Sequence, residues 1–412
     1  MNSIKFDIFS VIIGFILVSA DLIFLYHWKK FVREIKWSRW FYIIPIILSA
    51  IIFCVLLYFV YKNLTHFLYE KADKILYFIV IFWYIPKLII VPALLTIKLI
   101  AYISSKIKII FTNKNNEEIN TIKNSQIKDG RRKLLKTIGW TAAGLPFIAV
   151  VDGYARVTYD FKVYKTDIFL QKLPRQFDGI RIVQLSDIHA GSFYSSKPPQ
   201  HAFEIANELK PDIIFITGDF VNHNPLELKL IYDNMKKLNA ELGVFGSLGN
   251  HDHWMPLIDH KVLIEALQNA GIKMLINNNK IFKIDGAKLQ LASIDNISHR
   301  QSFGDFSKAL SGLHADSPII LLAHDPMIWD KAVRRKLKID LQLSGHTHGG
   351  QIVLDFFGEK IAASRIFYKE WEGLYKDGEQ YLYINRGIGT VGPPIRVGVY
   401  PEISLITLIK KS

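Results

Sequence analysis

Five short groups in the second half of this 412-residue chain carry side chains that could do chemistry. They are Asp187-Ile188-His189, Gly218-Asp219, Gly249-Asn250-His251-Asp252, His324-Asp325 and Gly345-His346-Thr347-His348. Imidazole, carboxylate and amide oxygen are donors to divalent metals, and imidazole also carries protons near neutral pH. Singly, an Asp-x-His pair or a lone histidine after a strand is ordinarily a surface or core residue with a hydrogen-bond partner. Together they stand out, because five of the 13 histidines fall in these groups, each with Asp, Asn or Gly close by.

The elements that must position these groups are legible in the flanking runs. Ile180–Leu185, Asp212–Thr217, Gly243–Leu248, Pro318–Ala323 and Ile339–Leu343 read as short strands, each delivering one group at its C-terminal end. Open α/β sheets place their ligand sites there. Several of the runs are nearly all apolar, as expected for strands covered on both faces. A helix is expected over Pro198–Lys210, with proline well placed in its first turn. A layered α/β domain follows.

In this order the groups resemble the calcineurin-like metallophosphoesterases, over roughly Asp167 to Leu408. That resemblance implies two sheets packed as a sandwich and flanked by helices. Gly345–Gln351, and the stretch from Arg386-Gly387-Ile388-Gly389-Thr390 to Pro401-Glu402-Ile403, look like the branch of membrane-associated bacterial phosphodiesterases of the YaeI and YkuE type. That branch includes enzymes that cleave UDP-diacylglucosamine in lipid A synthesis. Carried over, the resemblance assigns one metal to Asp187, His189, Asp219 and His348. It assigns a second to Asp219, Asn250, His324 and His346, with Asp219 bridging. His251 is then the acid that protonates the leaving oxygen.

The chemistry accounts for such a set. A phosphodiester is anionic and resists water, so its charge must be neutralised while a nucleophile is generated at neutral pH. Two ions about 3.5–4 Å apart, holding a hydroxide between them, do both. Mixed imidazole, carboxylate and amide ligands suit Mn, Fe, Zn or Co better than Ca or Mg. A neutral Asn250 leaves more positive charge for an anionic substrate. Gly218, Gly249, Gly345, Gly349 and Gly350 allow tight turns and close backbone approach. Arg386 and Arg396 are candidates for gripping phosphate. In protein-phosphatase relatives an aspartate stands where this chain has Asn222, and it supports the catalytic histidine. Asn222 therefore argues against that branch, although its amide oxygen could orient His251. Asp252 could assist or cap the following segment, and His223 and His253 are expected at the surface.

The expected function is a membrane-anchored phosphodiesterase or pyrophosphatase acting on a phosphoester, with a lipid-linked or nucleotide-sugar-lipid substrate as the type the resemblance implies. The competing reading is a catalytically weak membrane sensor or scaffold on the same fold, which loss of a ligand would favour; no ligand is missing.

The first half is of another kind. Trp40–Tyr61 is free of charge and long enough to cross the roughly 30 Å hydrocarbon core. Phe6–Tyr26 and Ile75–Ile97 are similar, with Asp21 placed to reach the interface and Lys87, just after Pro86, expected to face other helices, to snorkel or to mark a kink. Thr137–Val151 is a shorter apolar run after Arg131-Arg132-Lys133, which resembles the twin-arginine export motif. The expected organisation is three spans within 1–111, a basic polar linker over 112–136, a fourth membrane segment over 137–158 and a catalytic domain over 159–412. The net charge is +14, and residues 1–160 hold +11 of it. The excess thus lies beside apolar runs and reads as topology signal, with no nucleic-acid partner expected. Loop charges place the first and third loops inside, and hence the catalytic domain on the extracytoplasmic side of a bacterial plasma membrane. UDP-sugars are made in the cytoplasm, so this sidedness conflicts with UDP-diacylglucosamine and leaves the substrate broad.

Overall fold

The computed structural model describes residues 8–64, 71–111, 121–298 and 301–411. The chain divides into two compact units, Met1–Asp152 and Gly153–Ser412.

The first unit is helical: α1 (Ile8–Glu34), α2 (Trp40–Leu64), α3 (Lys71–Phe111) and α4 (Thr121–Ala142), with α5 (Leu145–Ala155) running on past its end. Among the described residues, Trp40–Phe59, Ile75–Ile107 and Gly130–Tyr159 are long and apolar enough to cross a membrane. The first expected span falls in α1, apart from Phe6 and Asp7, which lie outside the described residues. Of the expected linker, residues 112–120 lie outside the described residues, and from Thr121 onward it is helix. Local polarity hid this because the helix is held by distant partners. Lys136 pairs with Glu34, and the Trp140 ring lies 5.1–5.5 Å from those of Phe24, Trp28 and Phe31.

Of the placements open to Lys87, the bundle-facing one is found, and Asp21 does not reach an interface. The Lys87 ammonium lies 2.5 Å from Asp21 Oδ1, and the Ser49 hydroxyl donates to Oδ2 of the same carboxylate. The Trp83 ring lies 3.5 Å from the ammonium. All three polar residues are buried, because a lone charge in apolar surroundings is far costlier than a paired one.

The second unit is built on two six-stranded sheets. In chain order the first holds β1 (Lys162–Leu170), β2 (Arg181–Leu185), β3 (Ile213–Thr217), β4 (Val244–Ser247), β5 (Ile272–Met274) and β16 (Glu402–Lys410). Its spatial order is β1-β16-β2-β3-β4-β5, with β2 to β5 parallel. The second holds β6 (Asn278–Ile284), β7 (Ala287–Ser293), β10 (Ile319–Leu322), β11 (Leu341–Ser344), β14 (Gly373–Asp377) and β15 (Gln380–Ile384). Its order is β14-β15-β11-β10-β7-β6, parallel from β15 to β7. Two short hairpins complete the strands: β8 with β9 (Ile297–Ser298, Gln301–Ser302) and β12 with β13 (Val353–Phe356, Glu359–Ala362).

Period-two alternation splits each central strand between two cores. Ile213 and Phe215 meet Leu291, Ile320 and Leu341 between the sheets. Ile214 and Ile216 instead pack outward with Phe203 of α6 (Lys197–Glu208) and Leu263 of the helix Leu257–Asn269. Ala292, Leu321 and Leu382 form the outer core of the second sheet with Trp329 and Val333. The result is the layered sandwich the sequence implied. At the site end, Gln184 of β2 donates to Thr217 Oγ1 and to the carbonyl of Ser344, tying the two sheets together.

Candidate metal centre

All seven expected ligands emerge from the C-terminal ends of β2, β3, β4, β10 and β11, and all are buried or nearly so. The ligand atoms of Asp187, His189 and His348 lie within 4.8 Å of one another, as do those of Asp219, His324 and His346. Asp219 Oδ2 joins the sets, 3.5 Å from His189 Nε2 and 3.0 Å from His324 Nε2. His348 Nε2 lies 3.4 Å from Asp187 Oδ1. A third set, His189, Asp219 and His251, puts the expected acid beside the same carboxylate.

The backbone at these loops is strained. Asp187, His189, Asp219, His346 and His348 all have φ between +44° and +72°. Non-glycine residues take that region only where surrounding structure over-determines them, and such residues cluster at functional sites. Two glycines make the crowding affordable. A Cβ on Gly249 would lie 2.2 Å from Asp219 Oδ1, and one on Gly345 would lie 2.3 Å from Asp187 Oδ2.

Hydrogen bonds fix which ring nitrogens face inward. The Thr217 carbonyl accepts from His324 Nδ1–H at 2.7 Å, and Asn222 Oδ1 accepts from His189 Nδ1–H at 2.9 Å. Both Nε2 atoms are thereby turned to Asp219. His346 is reversed: its Nε2 lies 2.7 Å from the Tyr368 hydroxyl, and its Nδ1 lies 3.2 Å from His324 Nε2.

These residues fit metal ions. His189 Nε2, both ring nitrogens of His348 and Asn250 Oδ1 are buried without a hydrogen-bond partner. Burial, with neighbouring histidines, holds His189 down at about 3 and His348 well below its ordinary value, so both rings are neutral and their lone pairs available. Burial also works against a charged His324, yet the Asp219 and Asp187 carboxylates hold it up at about 10. His324 Nε2 and His346 Nδ1 face each other at 3.2 Å, as a pair of nitrogens that a metal ion could draw on would.

The remaining expected residues are placed as follows. His251 Nδ1–H donates to the backbone carbonyl of Asn222, not to its side chain. The side chain serves His189, because the β3 loop turns the amide toward that ring. Asp252 braces the backbone, accepting from the N–H groups of Asp219, Phe220 and Gly249 at 2.8–2.9 Å. Arg386 is engaged by Glu372 and Glu402, and buried Arg396 donates to the carbonyls of His348, Arg386, Gly387 and Gly389. Both arginines thus hold the loop carrying Gly387 against the centre. His223 is exposed as expected, 3.8 Å from Glu227. His253 is not: it stacks between His260 and Phe303 with Nε2 2.7 Å from Asp295, a partner supplied by a distant loop.

Three neighbours carried no sequence signal. They are Tyr368, Trp254 packed on His251 at a centroid distance of 3.9 Å, and Glu227, which accepts from the N–H groups of Gly191 and Asn222.

Residues 180–350 match the family model "Calcineurin-like phosphoesterase", and residues 7–156 match "Probable Calcineurin-like phosphoesterase, transmembrane domain". The chain is 34% identical over 292 residues to the uncharacterized metallophosphoesterase YkuE of Bacillus subtilis, covering 68% of this chain and 98% of that one. It belongs to the calcineurin-like phosphoesterases. A metallophosphoesterase of Aquifex aeolicus is 32% identical, with 64% of this chain and 98% of the relative covered. A Danio rerio transmembrane protein with a metallophosphoesterase domain is 32% identical over 63% of this chain, which spans 60% of that relative. As a calcineurin-like phosphoesterase with a transmembrane domain, the protein is a membrane-associated, metal-dependent phosphoesterase.

Proposed function

We propose that this protein is a phosphodiesterase or pyrophosphatase with a dinuclear centre of Mn, Fe, Zn or Co. Asp187, His189, Asp219 and His348 hold one ion; Asp219, Asn250, His324 and His346 hold the other. The observation that supports the reading is the set of buried, unpartnered ring nitrogens and amide oxygen of His189, His348 and Asn250, with His189 beside Asp219 and His348 beside Asp187. Bound divalent ions supply charge neutralisation for the phosphoryl oxygens and lower the pKa of water.

The protein's own groups do the rest. A carbonyl can only accept, so His251 Nδ1 carries a proton toward Asn222 and Nε2 is left to exchange one with the leaving oxygen. Trp254 on its face limits rotation of that ring. Asp252 keeps the Asp219 and Asn250 loops in register. Membrane association favours an amphiphilic phosphoester, lipid-linked or of the nucleotide-sugar-lipid type, because enzyme and substrate then share a surface. Loop charges in the first unit favour an extracytoplasmic catalytic unit.

The test is hydrolysis of bis-p-nitrophenyl phosphate against p-nitrophenyl phosphate by wild type and Asp219→Ala. Diester hydrolysis that chelation and the substitution both abolish is expected. Activity untouched by either removes the mechanism, and a strong monoester preference removes the phosphodiesterase assignment. A reporter active only outside the cytoplasm, fused after Ser412, tests the sidedness.

A further inference from the structure

Exposed apolar side chains border the centre at two of its histidines. On the His251 side, Trp254 packs on the ring, and the helix that follows opens with Leu257 and Ile258, 72% and 69% exposed. On the His346 side, Tyr368 closes a short helix, Ser364–Phe367, whose Ile366 and Phe367 are 78% and 73% exposed. The neighbouring β12–β13 hairpin carries Ile361 outward and ends in a fully exposed Phe357. Burying such side chains is favourable, so a cluster left in water forgoes a large stabilisation. Clusters of this kind mark interaction surfaces.

The hairpin tip is built to project. Phe357 has φ +54° and Gly358 φ +91°, and the Gly358 N–H is held by Asp355 Oδ1 at 2.8 Å. A bulky aromatic in left-handed backbone is strained, and nothing offsets that strain while the ring stays in water.

Chain connectivity identifies the occupant. The apolar stretch Gly130–Tyr159 is long enough to cross a membrane, and its last residues already belong to the catalytic unit, where Val157 and Thr158 are buried and the Thr158 hydroxyl donates to the Pro394 carbonyl. The chain therefore passes from the membrane segment into the catalytic unit without a linker. The neighbouring lysines are neutralised, Lys360 by Glu372 at 2.6 Å and Lys369 by Glu370 at 3.7 Å. Attraction to anionic headgroups therefore does not drive the contact; apolar insertion does.

We propose that Phe357, Ile361, Ile366 and Phe367 dock into the interfacial zone of the lipid bilayer, beside the mouth of the metal centre. The docking is independent of the hydrolytic reading; its consequence, selection of phosphodiesters presented by the membrane, rests on that reading.

The full chain in phosphatidylcholine proteoliposomes tests it. On a Cys54→Ser background, an environment-sensitive fluorophore is attached through Phe357→Cys, and in a control through Lys308→Cys, a side chain 74% exposed. Blue-shifted emission and quenching by doxyl-labelled phosphatidylcholine are expected at 357 and not at 308, unchanged by high salt. A 357 probe as open to aqueous iodide as the 308 probe overturns the proposal. So does one shielded from iodide yet untouched by doxyl lipid, which would mean a protein occupies the surface. The triple variant Phe357→Ser, Ile366→Ser, Phe367→Ser should keep its turnover of bis-p-nitrophenyl phosphate and lose about tenfold or more on a phosphodiester embedded in lipid, a difference of about 1.4 kcal/mol. Equal loss on both substrates, or on neither, overturns the selection. If the wild type hydrolyses neither, the hydrolytic reading has failed and the quenching result alone decides the docking.

Discussion

Asn222 gives its side-chain oxygen to His189 Nδ1 at 2.9 Å, while its backbone carbonyl takes the Nδ1–H of His251 at the same distance. One residue therefore orients both a metal-facing ring and the expected acid, through two different atoms. Asn222→Ala removes only the first of these. Supporting hydrogen bonds of this kind change metal affinity by about 10–100-fold, so a loss of that size is expected in a competitive metal titration. An unchanged affinity would show that His189 needs no such support.

Tyr368 plays the corresponding part for His346. With its hydroxyl 2.7 Å from Nε2, it fixes the ring so that Nδ1 faces His324. Tyr368→Phe keeps the ring and removes that contact. Metal content after gel filtration should fall, with affinity down about tenfold or more. A variant that holds its metal as tightly as wild type would leave Tyr368 with a packing role alone.

Asp252 matters for folding before it matters for chemistry. Its carboxylate is the partner of the Asp219, Phe220 and Gly249 N–H groups in a fully buried position. Leaving one buried donor unpaired costs about 1–3 kcal/mol. Asp252→Ala should lower the thermal midpoint of the catalytic unit sharply in the metal-free protein, where loss of an ion cannot be the cause. A midpoint within error of wild type would contradict the bracing role.

In the membrane unit, Lys87→Met leaves the Asp21 carboxylate buried without its ammonium. Breaking such a pair costs about 3–5 kcal/mol, and removing both charges is often nearly neutral. The single variant should therefore unfold at lower denaturant in detergent, and Asp21→Asn with Lys87→Met should recover most of the loss. No recovery in the double variant would mean that Lys87 acts through the Trp83 contact and not through the pair.

The five strands and their terminal groups were legible because each is local. Ile213–Thr217 is wholly apolar but for its last residue and ends in Gly218-Asp219, which any register of the sheet would deliver at the edge. What the same stretch could not reveal is the fate of Asn222, three residues beyond Asp219. Its distance from His251 in sequence does not say whether backbone or side chain makes the bond. Arg386 and Arg396 show the same limit. An arginine near a phosphoesterase motif reads as a phosphate grip, and only the folded chain shows both guanidinium groups taken up by carboxylates and carbonyls.

The sequence by itself determined the candidate donor types, their order along the chain, a layered α/β domain and the apolar helices that precede it, while the two-sheet sandwich came from the family resemblance. The former follow from periodicity and from side-chain chemistry, which are properties of neighbours. Tertiary structure alone decided which nitrogen of each histidine faces inward, that Asn222 serves His189, that Tyr368 backs His346, and that Lys87 finds Asp21 66 residues away. These are choices of hydrogen-bond partner in places without water, where every buried polar atom must find one. The partner comes from whichever distant segment the packing of the sheets and helices brings near.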